Sequence, residues 1–463
     1  MSTFSGLSTA LSALFTQRRG LDLTGQNIAN ANTEGYSRQR ASLEAVGAPA
    51  ETAFFSRYDG VAGGVKVADL QRLRDAFLET RGHTEHGRLS LLTERTAALA
   101  QVEDLLVEPT DSGLQSQLSD FWNAWGDLAN RPGDLAARSQ LMQRARTLVD
   151  SLHSADDVMK RQWTSGSTTL QAVVSEINTT GEVIAELNLA IRRSTQTGEP
   201  ANELKDRRDL LIMKLAEMTG ATTRSGEDGM LDVAIAGRAL VRGGSSQALQ
   251  VTGPASLTSP ATPVAVTWVA DGQPAPLERG QAAGLLDTLN GVLPTYRGKL
   301  DSFTAQLVTA VNAQHRQGYG LDGGTSRDFF GPAGTTAESV QLALTDADHL
   351  AASSVAGAGN LDEKNAHKLA ALARDPNGPD AFYRSIVVDL AVEGQTARRL
   401  TDIQRDLTAQ IDSARDAEAG VELDEEMVNM LAFQRAYEGA ARMMTAVDET
   451  LDRLINRTGI VGR

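Results

Sequence analysis

Both ends of the chain carry apolar residues at helical spacing, and this limits the possible folds more than any other feature of the sequence. The apolar positions step by three and four residues, which is typical of a helix that packs one face against another helix. Because the two stripes lie at opposite termini, packing one on the other folds the chain back on itself. We predict that they form an assembly interface comprising Leu7, Leu11, Leu14, Leu21 and Ile28 with Leu423, Met427, Met430, Tyr437, Met444, Leu451 and Ile455.

The apolar burial in an isolated pair of terminal helices does not offset the cost of ordering their backbone. Ordering the backbone costs roughly 1–2 kcal/mol per residue, whereas a large apolar side chain contributes roughly 1.5–3 kcal/mol only when it is fully buried. A two-helix pair buries only part of its stripes. We therefore expect residues 1–35 and 421–463 to form a coiled-coil-like terminal domain that is disordered in the monomer and folds when neighbouring subunits cover it.

Between its ends the chain consists of long helical tracts interrupted by one β-rich segment. A short hairpin or loop is expected at residues 54–67, and a long helical pattern begins at Val67. The stretch from Gly229 to Gly244 and the later stretch around Asp271-Gly272 alternate apolar and polar residues between turn residues, which is typical of β-hairpins.

The sequence thus predicts a mainly α fold with a small β-rich insertion. The terminal helices pair in a coiled-coil-like rod, and a helical rod or core domain is built as a long-helix bundle from residues 36–219 and 282–420. A compact outer β domain of residues 220–281 lies at the distal end.

Composition excludes several classes of function. The 463 residues carry a net charge of −15 without a clustered basic stripe, so we expect no nucleic-acid partner. No apolar run reaches transmembrane length and no charged segment precedes an apolar one, so we expect no membrane partner and export, if any, through an uncleaved N-terminus. The lack of cysteine excludes disulfides and thiolate-bound metals.

Two segments only superficially match ligand sites. The nearest approach to a phosphate-binding loop, around Gly298-Lys299, has two residues too many between its glycines, and Leu300 stands where a magnesium-binding hydroxyl is needed. His83 and His86 lie three residues apart without a third ligand, so we interpret them as solvated helix residues.

Further acidic and aromatic groups are also better explained as structure. The loop containing Asp322 and Asp328 lacks the alternating oxygen ligands of a calcium loop, which favours a structural turn and leaves weak cation binding open. The acidic run Asp424 to Glu426 begins a helix and is expected to complement its dipole, and the pair Trp122 and Trp125 is expected in a core. We predict no catalytic residues, no cofactor and no metal site.

The most unusual local segment is "GQNIANANTEGYSRQR", residues 25–40, where the first helix ends. Its Asn and Gly residues are typical of a turn. We interpret it as a joint at which the terminal helix leaves the rod, with Gly35 giving the backbone freedom, Tyr36 packing at the corner, and Arg38 and Arg40 contacting adjacent subunits. The hinge residues of this interpretation are Asn27, Asn30, Thr33, Gly35, Tyr36 and Arg38.

This segment resembles the N-terminal signature of the bacterial flagellar rod, hook and hook-associated proteins. Its continuation, Ser37-Arg38-Gln39, narrows the resemblance to the hook-associated proteins of the hook–filament junction. Segments 310–318, 420–426 and 434–442, together with Phe329-Phe330, resemble further motifs of the same family and occur in the same order.

The resemblance implies a self-assembling structural subunit rather than an enzyme. Such a subunit is exported unfolded from the cytoplasm by the flagellar type III apparatus and forms an extracellular junction ring between hook and filament that filament assembly needs. The implied partners are further copies of the chain, the hook protein, the second hook-associated junction protein and an export chaperone that binds the C-terminal helix.

Three alternatives have less support from the sequence. Another axial subunit, of the hook or distal rod, fits Ser37-Arg38-Gln39 and the segment 311–315 less well. A wall hydrolase carried on the axial structure lacks a convergent acid–base pair in the sequence. A coiled-coil adhesin would bind a host surface instead of its own neighbours.

Overall fold

The fold is that of a computed structural model, which describes residues 3–456 except 47–62, 107, 109, 111–112, 258–261, 358 and 360. The helices are α1 (Thr3–Ala29), α2 (Ala76–Leu106), α3 (Leu114–Asn130), α4 (Leu135–Thr197), α5 (Asn202–Thr219), α6 (Gln281–Asp287), α7 (Leu293–His315), α8 (Lys364–Ala371), α9 (Pro379–Ala419) and α10 (Leu423–Asn456). The strands are β1 (Gln39–Ala45), β2 (Val65–Arg72), β3 (Thr222–Ser225), β4 (Leu231–Ile235), β5 (Arg238–Arg242), β6 (Ser245–Ser246), β7 (Leu249–Thr252) and β8 (Ala265–Trp268).

The scaffold of the molecule is α4, a helix of 63 residues. It begins after Asp134, whose carboxylate accepts a hydrogen bond from the Ala136 amide, and it ends at Gly198, whose left-handed φ of 77° closes the last turn. Helices α3 and α5 pack along it. Because α4 alternates buried and exposed residues along its length, it can carry elements on its sides without being fully enclosed.

Helices α2 and α9 form the second long pair. Their polar contacts run in opposite directions along the two helices, from Glu79 with Arg415 to Glu103 with Arg398, so the helices are antiparallel. Between these ends the Thr401 hydroxyl lies 2.8 Å from the Thr96 hydroxyl. This pair joins a tract before the β-rich segment to one after it.

An aromatic cluster fills one end of the core. The ring centroid of Phe329 lies 5.8 Å from that of Phe121 and 5.5 Å from that of Trp125. Trp122 and Trp125 are both buried, which confirms their predicted place in the core.

The β-rich segment packs along α4. Strands β3 to β6 form an antiparallel sheet in sequence order, and β7 pairs with β8. Two amide side chains of α4 satisfy strand backbone groups: Asn178 exchanges two hydrogen bonds with Leu249, and Asn188 does the same with Leu231. Apolar residues of the strands belong to the same continuous core as the helices. The mainly α fold with a small β-rich insertion is confirmed, and the division into domains stays a prediction.

The helical tract predicted to begin at Val67 is wrong at its start. Residues Val65–Arg72 form β2, which pairs antiparallel with β1, and α2 begins only at Ala76. The strand forms because β1 pairs with it, and the Thr16 hydroxyl of α1 donates a hydrogen bond to the Val65 carbonyl at 3.0 Å. Local periodicity did not indicate the strand, because these partners are distant in sequence. Of the expected hairpin or loop at 54–67, residues 54–62 lie outside the described part of the chain.

The interpretation of His83 and His86 as solvated is also wrong. His83 is buried, and burial lowers its pKa to about 4. His86 bridges three helices: its Nδ1 lies 3.0 Å from the Glu217 carboxylate of α5 and its Nε2 lies 3.0 Å from the Asp412 carboxylate of α9. The hydrogen bond with Glu217, and then that with Asp412, raises the pKa of His86.

Within the described residues, no helix combines the length and apolar character needed to cross a bilayer.

The His86 bridge should make stability depend on pH. Because its pKa is raised on folding, its stabilising contribution is fully present below the unfolded value of about 6.5 and is lost as the pH rises through the higher folded pKa. We expect the difference in free energy of unfolding between the wild type and His86→Gln, measured by chemical denaturation, to shrink from about pH 5.5 to about pH 8.5. Asp412→Asn removes one partner and should flatten the dependence. A difference that grows with pH would contradict the bridge.

Candidate assembly site at the joint of the terminal helices

The terminal helices α1 and α10 pack against each other along their length. They pack tightly where Gly20 meets Phe433: a Cβ added at Gly20 would lie 2.6 Å from the Phe433 ring. The Phe433 ring therefore packs directly against the buried backbone of Gly20, where a larger residue would leave no room for it. Sequence reasoning missed this contact, although a glycine inside a helical pattern often marks a close approach.

The predicted apolar residues differ in their exposure. Several are half-buried, whereas others are exposed. The half-buried residues are Leu7, Leu14, Leu21, Ile28, Met430, Met444 and Leu451. The exposed ones are Leu11, Leu423, Met427, Tyr437 and Ile455, and they share the exposed surface with Phe15, Val428, Leu431, Met443 and Leu454. We name this second set the outer apolar face.

The joint is organised by Asn27, at the end of α1. Its side-chain oxygen accepts hydrogen bonds from the Tyr36 hydroxyl at 2.8 Å and the Gln39 amide at 3.1 Å. Its side-chain nitrogen donates to the Gln39 carbonyl at 2.9 Å and to the Glu426 carboxylate at 3.1 Å. The amide group of Asn27 therefore uses its full capacity and connects α1, β1 and α10 while almost completely buried.

Glu426 and Arg38 complete the link between the two ends of the chain. The Glu426 side chain is only 3% exposed, and its Oε1 accepts a hydrogen bond from Arg38 Nε at 2.8 Å. Arg38 Nη1 also lies 2.7 Å from the Glu425 carboxylate. Burial lowers the pKa of Arg38, but the hydrogen bonds with the two carboxylates outweigh it and the net pKa is raised. The Arg38 amide further donates to the Ala419 carbonyl at 2.8 Å.

This geometry bears on two expectations. Arg38 has ion-pair partners within its own chain and Arg40 is exposed, and the contacts expected of both with adjacent subunits stay a prediction. Glu426, expected only to complement the helix dipole, is instead the buried acceptor of the joint. The spacing rules could not assign it, because its donors lie almost the whole chain away in sequence.

The turn itself has the residues that its geometry needs. Gly35 has a φ of 77°, and a Cβ there would lie 3.2 Å from the Leu210 side chain. The Asn30 side chain donates to the Gln26 carbonyl, and the Thr33 hydroxyl donates to Asn30 Oδ1 at 3.2 Å. Burial and the nearby charges of Asp206, Glu426 and Glu203 raise the pKa of Tyr36 to about 12, so this hydroxyl stays protonated and donates.

A second group of charges fastens β1 and β2 to α5. Arg72 Nη1 donates to the Asp206 and Asp209 carboxylates at 2.8 and 2.9 Å, and Arg74 donates to Asp209 at 2.6 Å. Burial raises the pKa of Asp209, but the charges of Arg208, Arg72 and Arg74 outweigh it and the net pKa is lowered. The joint therefore rests on a rigid base that belongs to the helical core.

The segments that superficially matched ligand sites have structural roles. The Asp322 carboxylate accepts hydrogen bonds from Arg327, with which it pairs at 2.6 Å, and from the Gly324 amide at 3.0 Å. The Arg327 hydrogen bond lowers the pKa of Asp322 to about 2. Lys299 pairs with Asp389 at 2.9 Å. Among the residues described, no group of three or more His, Asp or Glu side chains is placed to hold a metal ion.

Comparison with known proteins identifies the family. Residues 99–330 match the model of the flagellar hook-associated protein FlgK helical domain, residues 7–36 match a flagella basal body rod protein model, and residues 416–457 match the FlgEFG basal body rod C-terminal model. The chain is 30% identical to flagellar hook-associated protein 1 of Bacillus subtilis over the full length of both. The chain belongs to the flagellar hook-associated protein 1 family.

Two further similarities agree with this assignment. Flagellar hook-associated protein 1 of Escherichia coli is 23% identical over 97% of this chain and 99% of its own length. The solved structure of the flagellar hook junction protein FlgK from Burkholderia pseudomallei is 15% identical and shares the fold, with a TM-score of 0.64 over 73% of this chain and 99% of that structure.

We expect Glu426→Ala to loosen the joint of this hook-associated protein. The change leaves Arg38 Nε and one Asn27 N–H without their buried acceptor, which costs about 1–3 kcal/mol. Hydrogen exchange of β1 and of the first turns of α10 should accelerate about tenfold or more. Asp424→Ala removes an exposed carboxylate from the same helical turn and serves as the control. Equal exchange in both variants would contradict the role of Glu426.

Proposed function

We propose that the chain is a structural subunit of the bacterial flagellum that forms the junction between hook and filament and is needed for filament assembly. The observation that carries the proposal is the full-length similarity to hook-associated protein 1, combined with a fastened helix pair whose outer apolar face remains exposed. Large apolar side chains exposed in this number on one helix pair are typical of a protein–protein interface.

The outer apolar face supports self-assembly into a ring. Side chains such as Met427, Leu431 and Leu454 are each at least half-exposed in the single chain, and a neighbouring copy would remove them from water. The predicted disorder of residues 1–35 and 421–463 in the monomer stays a prediction. The hydrogen bonds of Asn27 and Glu426 favour order at the roots of both helices, so we expect the looseness to lie towards their free ends.

The partners and the place of action follow from the same proposal. Besides copies of itself, the subunit binds the hook protein and the second hook-associated junction protein, and it acts outside the cell on the flagellum. Before assembly it is cytoplasmic and is exported unfolded by the type III apparatus, which a chain without cysteine suits. An export chaperone covers the apolar surface of α10. The hook-associated relatives support a structural, non-enzymatic role.

A deletion strain tests the function. Without the junction subunit, filament protein has no foundation on the hook. Electron microscopy should therefore show bare hooks, and an immunoblot of the culture medium should show lost flagellin. Full-length filaments on the deletion strain would overturn the proposal, and a missing hook would favour the alternative of a hook or distal-rod subunit.

Gly35→Val tests the joint in assembly. The added side chain meets Leu210 at a left-handed backbone position, which strains the turn by roughly 1–3 kcal/mol. We expect the variant to be exported but not incorporated, as measured by immunoblots of the medium and of purified flagella. Gly237→Val is the matched control, because Gly237 has a φ of 83° in the β4–β5 turn and open space around it. Normal filaments with Gly35→Val would contradict the role of the joint.

A further inference from the structure

A stripe of exposed residues runs along α9 on the side away from the core. Val388, Val392 and Ile403 are 60%, 60% and 59% exposed, and Arg399 lies among them. Because a helix turns about 100° per residue, these four residues lie opposite Leu390 and Ala397, which are buried. We name Val388, Val392, Arg399 and Ile403 the outer stripe. Three large apolar side chains on the outer side of a helix indicate a surface that another molecule covers.

A groove of matching character lies between α2 and α4. Its volume is 790 Å³, and small residues such as Ala97 and Gly166 leave room in it. Val158 contributes an apolar wall, and a hydrogen bond from Gln162 to Gln101 crosses the groove. Asp104 stands at one end. We name this surface the α2–α4 groove.

The stripe and the groove match in length. The outer stripe runs from residue 388 to residue 403, which at the rise of an α-helix is about 22 Å. The groove is lined by α4 from Ser154 to Thr169, which is also about 22 Å. A helix carrying the stripe can therefore lie along the whole groove, with its valines over the small residues.

The stripe and the groove also match in charge. Arg399 of the stripe and Asp104 of the groove are both exposed, and neither forms an ion pair with any residue that the structure describes. Each carries a charge that a partner of opposite sign would satisfy. The groove's other charged side chains are Glu94, which accepts a hydrogen bond from Gln281, and Arg161. Its carboxylates therefore outnumber its one guanidinium, and Gln101 and Gln162 add polar groups that can hydrogen-bond a docked arginine.

We propose that the outer stripe of one copy docks into the α2–α4 groove of the next copy. The proposal rests on the proposed function and identifies the contact that its ring uses in the helical core, separate from the terminal helices. Since the two surfaces differ, the contact is head-to-tail, and such a contact closes into a ring when its rotation closes. A second copy is the occupant because the matching groove lies on this same chain.

Cysteine cross-linking tests the docking, because the chain has no cysteine of its own. Variants carry Val392→Cys, Ala97→Cys or both, and flagella assembled from them are treated with a bismaleimide. We expect a ladder of oligomers from the double variant, dimers from a mixture of the two single variants, and no dimer from either alone. Val392→Cys with Thr147→Cys, an exposed α4 position outside the groove, should not cross-link.

The outcomes separate the docking from the function. Dimers from Val392→Cys alone would show a stripe-to-stripe contact and overturn the proposal, as would cross-links to a different protein. Incorporated variants that give no cross-links would overturn the docking and leave the proposed function intact. If the wild-type chain is itself missing from purified flagella, the proposed function fails instead.

Charge reversal tests the predicted ion pair. In the double-cysteine chain, Arg399→Asp and Asp104→Arg should each lower the yield of cross-linked oligomers, and combining them should restore it. Arg146→Asp, at an exposed position of α4 outside the groove, is the control for the loss of a positive charge. Equal yields from the double-cysteine parent, the two single reversals and their combination would show that Arg399 does not meet Asp104.

Discussion

A carboxylate buried with its partners holds the two ends of this chain together. Glu426 accepts hydrogen bonds from Asn27 and Arg38, and removing it from water without them would cost several kcal/mol. This requirement fixes the first turn of α10 relative to the last turn of α1. Together with the packing of α1 on α10, this contact holds both terminal helices at the joint.

The joint transmits this constraint to the rest of the molecule. The side-chain oxygen of Gln39 accepts a hydrogen bond from the Asn202 side chain of α5. The backbone of Gln39 is hydrogen-bonded to the Asn27 side chain. The arginines of β2 and the loop after it pair with carboxylates of α5. The terminal helices thus grow from a rigid base, whereas their outer apolar face has no cover within the described part of the chain. Helices that are fixed at the joint and expose apolar side chains beyond it suit a subunit whose apolar surface is covered by neighbouring subunits.

The sequence predicted the elements whose pattern is local. Long periodic tracts predicted helices on both sides of the β-rich segment, and alternation between turn residues predicted that segment itself. The sequence-based predictions failed where the conformation or burial of a residue depends on partners far away in the sequence. The stretch Val65–Arg72 is a strand because β1 pairs with it, and His83 and His86 are buried or bridged because α5 and α9 cover α2. The sequence did not separate the half-buried from the exposed residues of α10, because three–four spacing does not show how much of each side chain the partner helix covers.

By itself the sequence determined that the ends are helical, that they carry apolar stripes, and that a turn with Gly35 and Tyr36 follows the first helix. Periodicity and backbone preference are properties of residues close together in the chain, so they can be recognised in a single amino-acid sequence. Only the tertiary structure decided that Glu426 is the partner of Asn27 and Arg38, which apolar residues stay exposed, and where a groove opens. Those outcomes depend on contacts between residues that are 61 to 399 positions apart, and burial is set by the complete packing of the molecule.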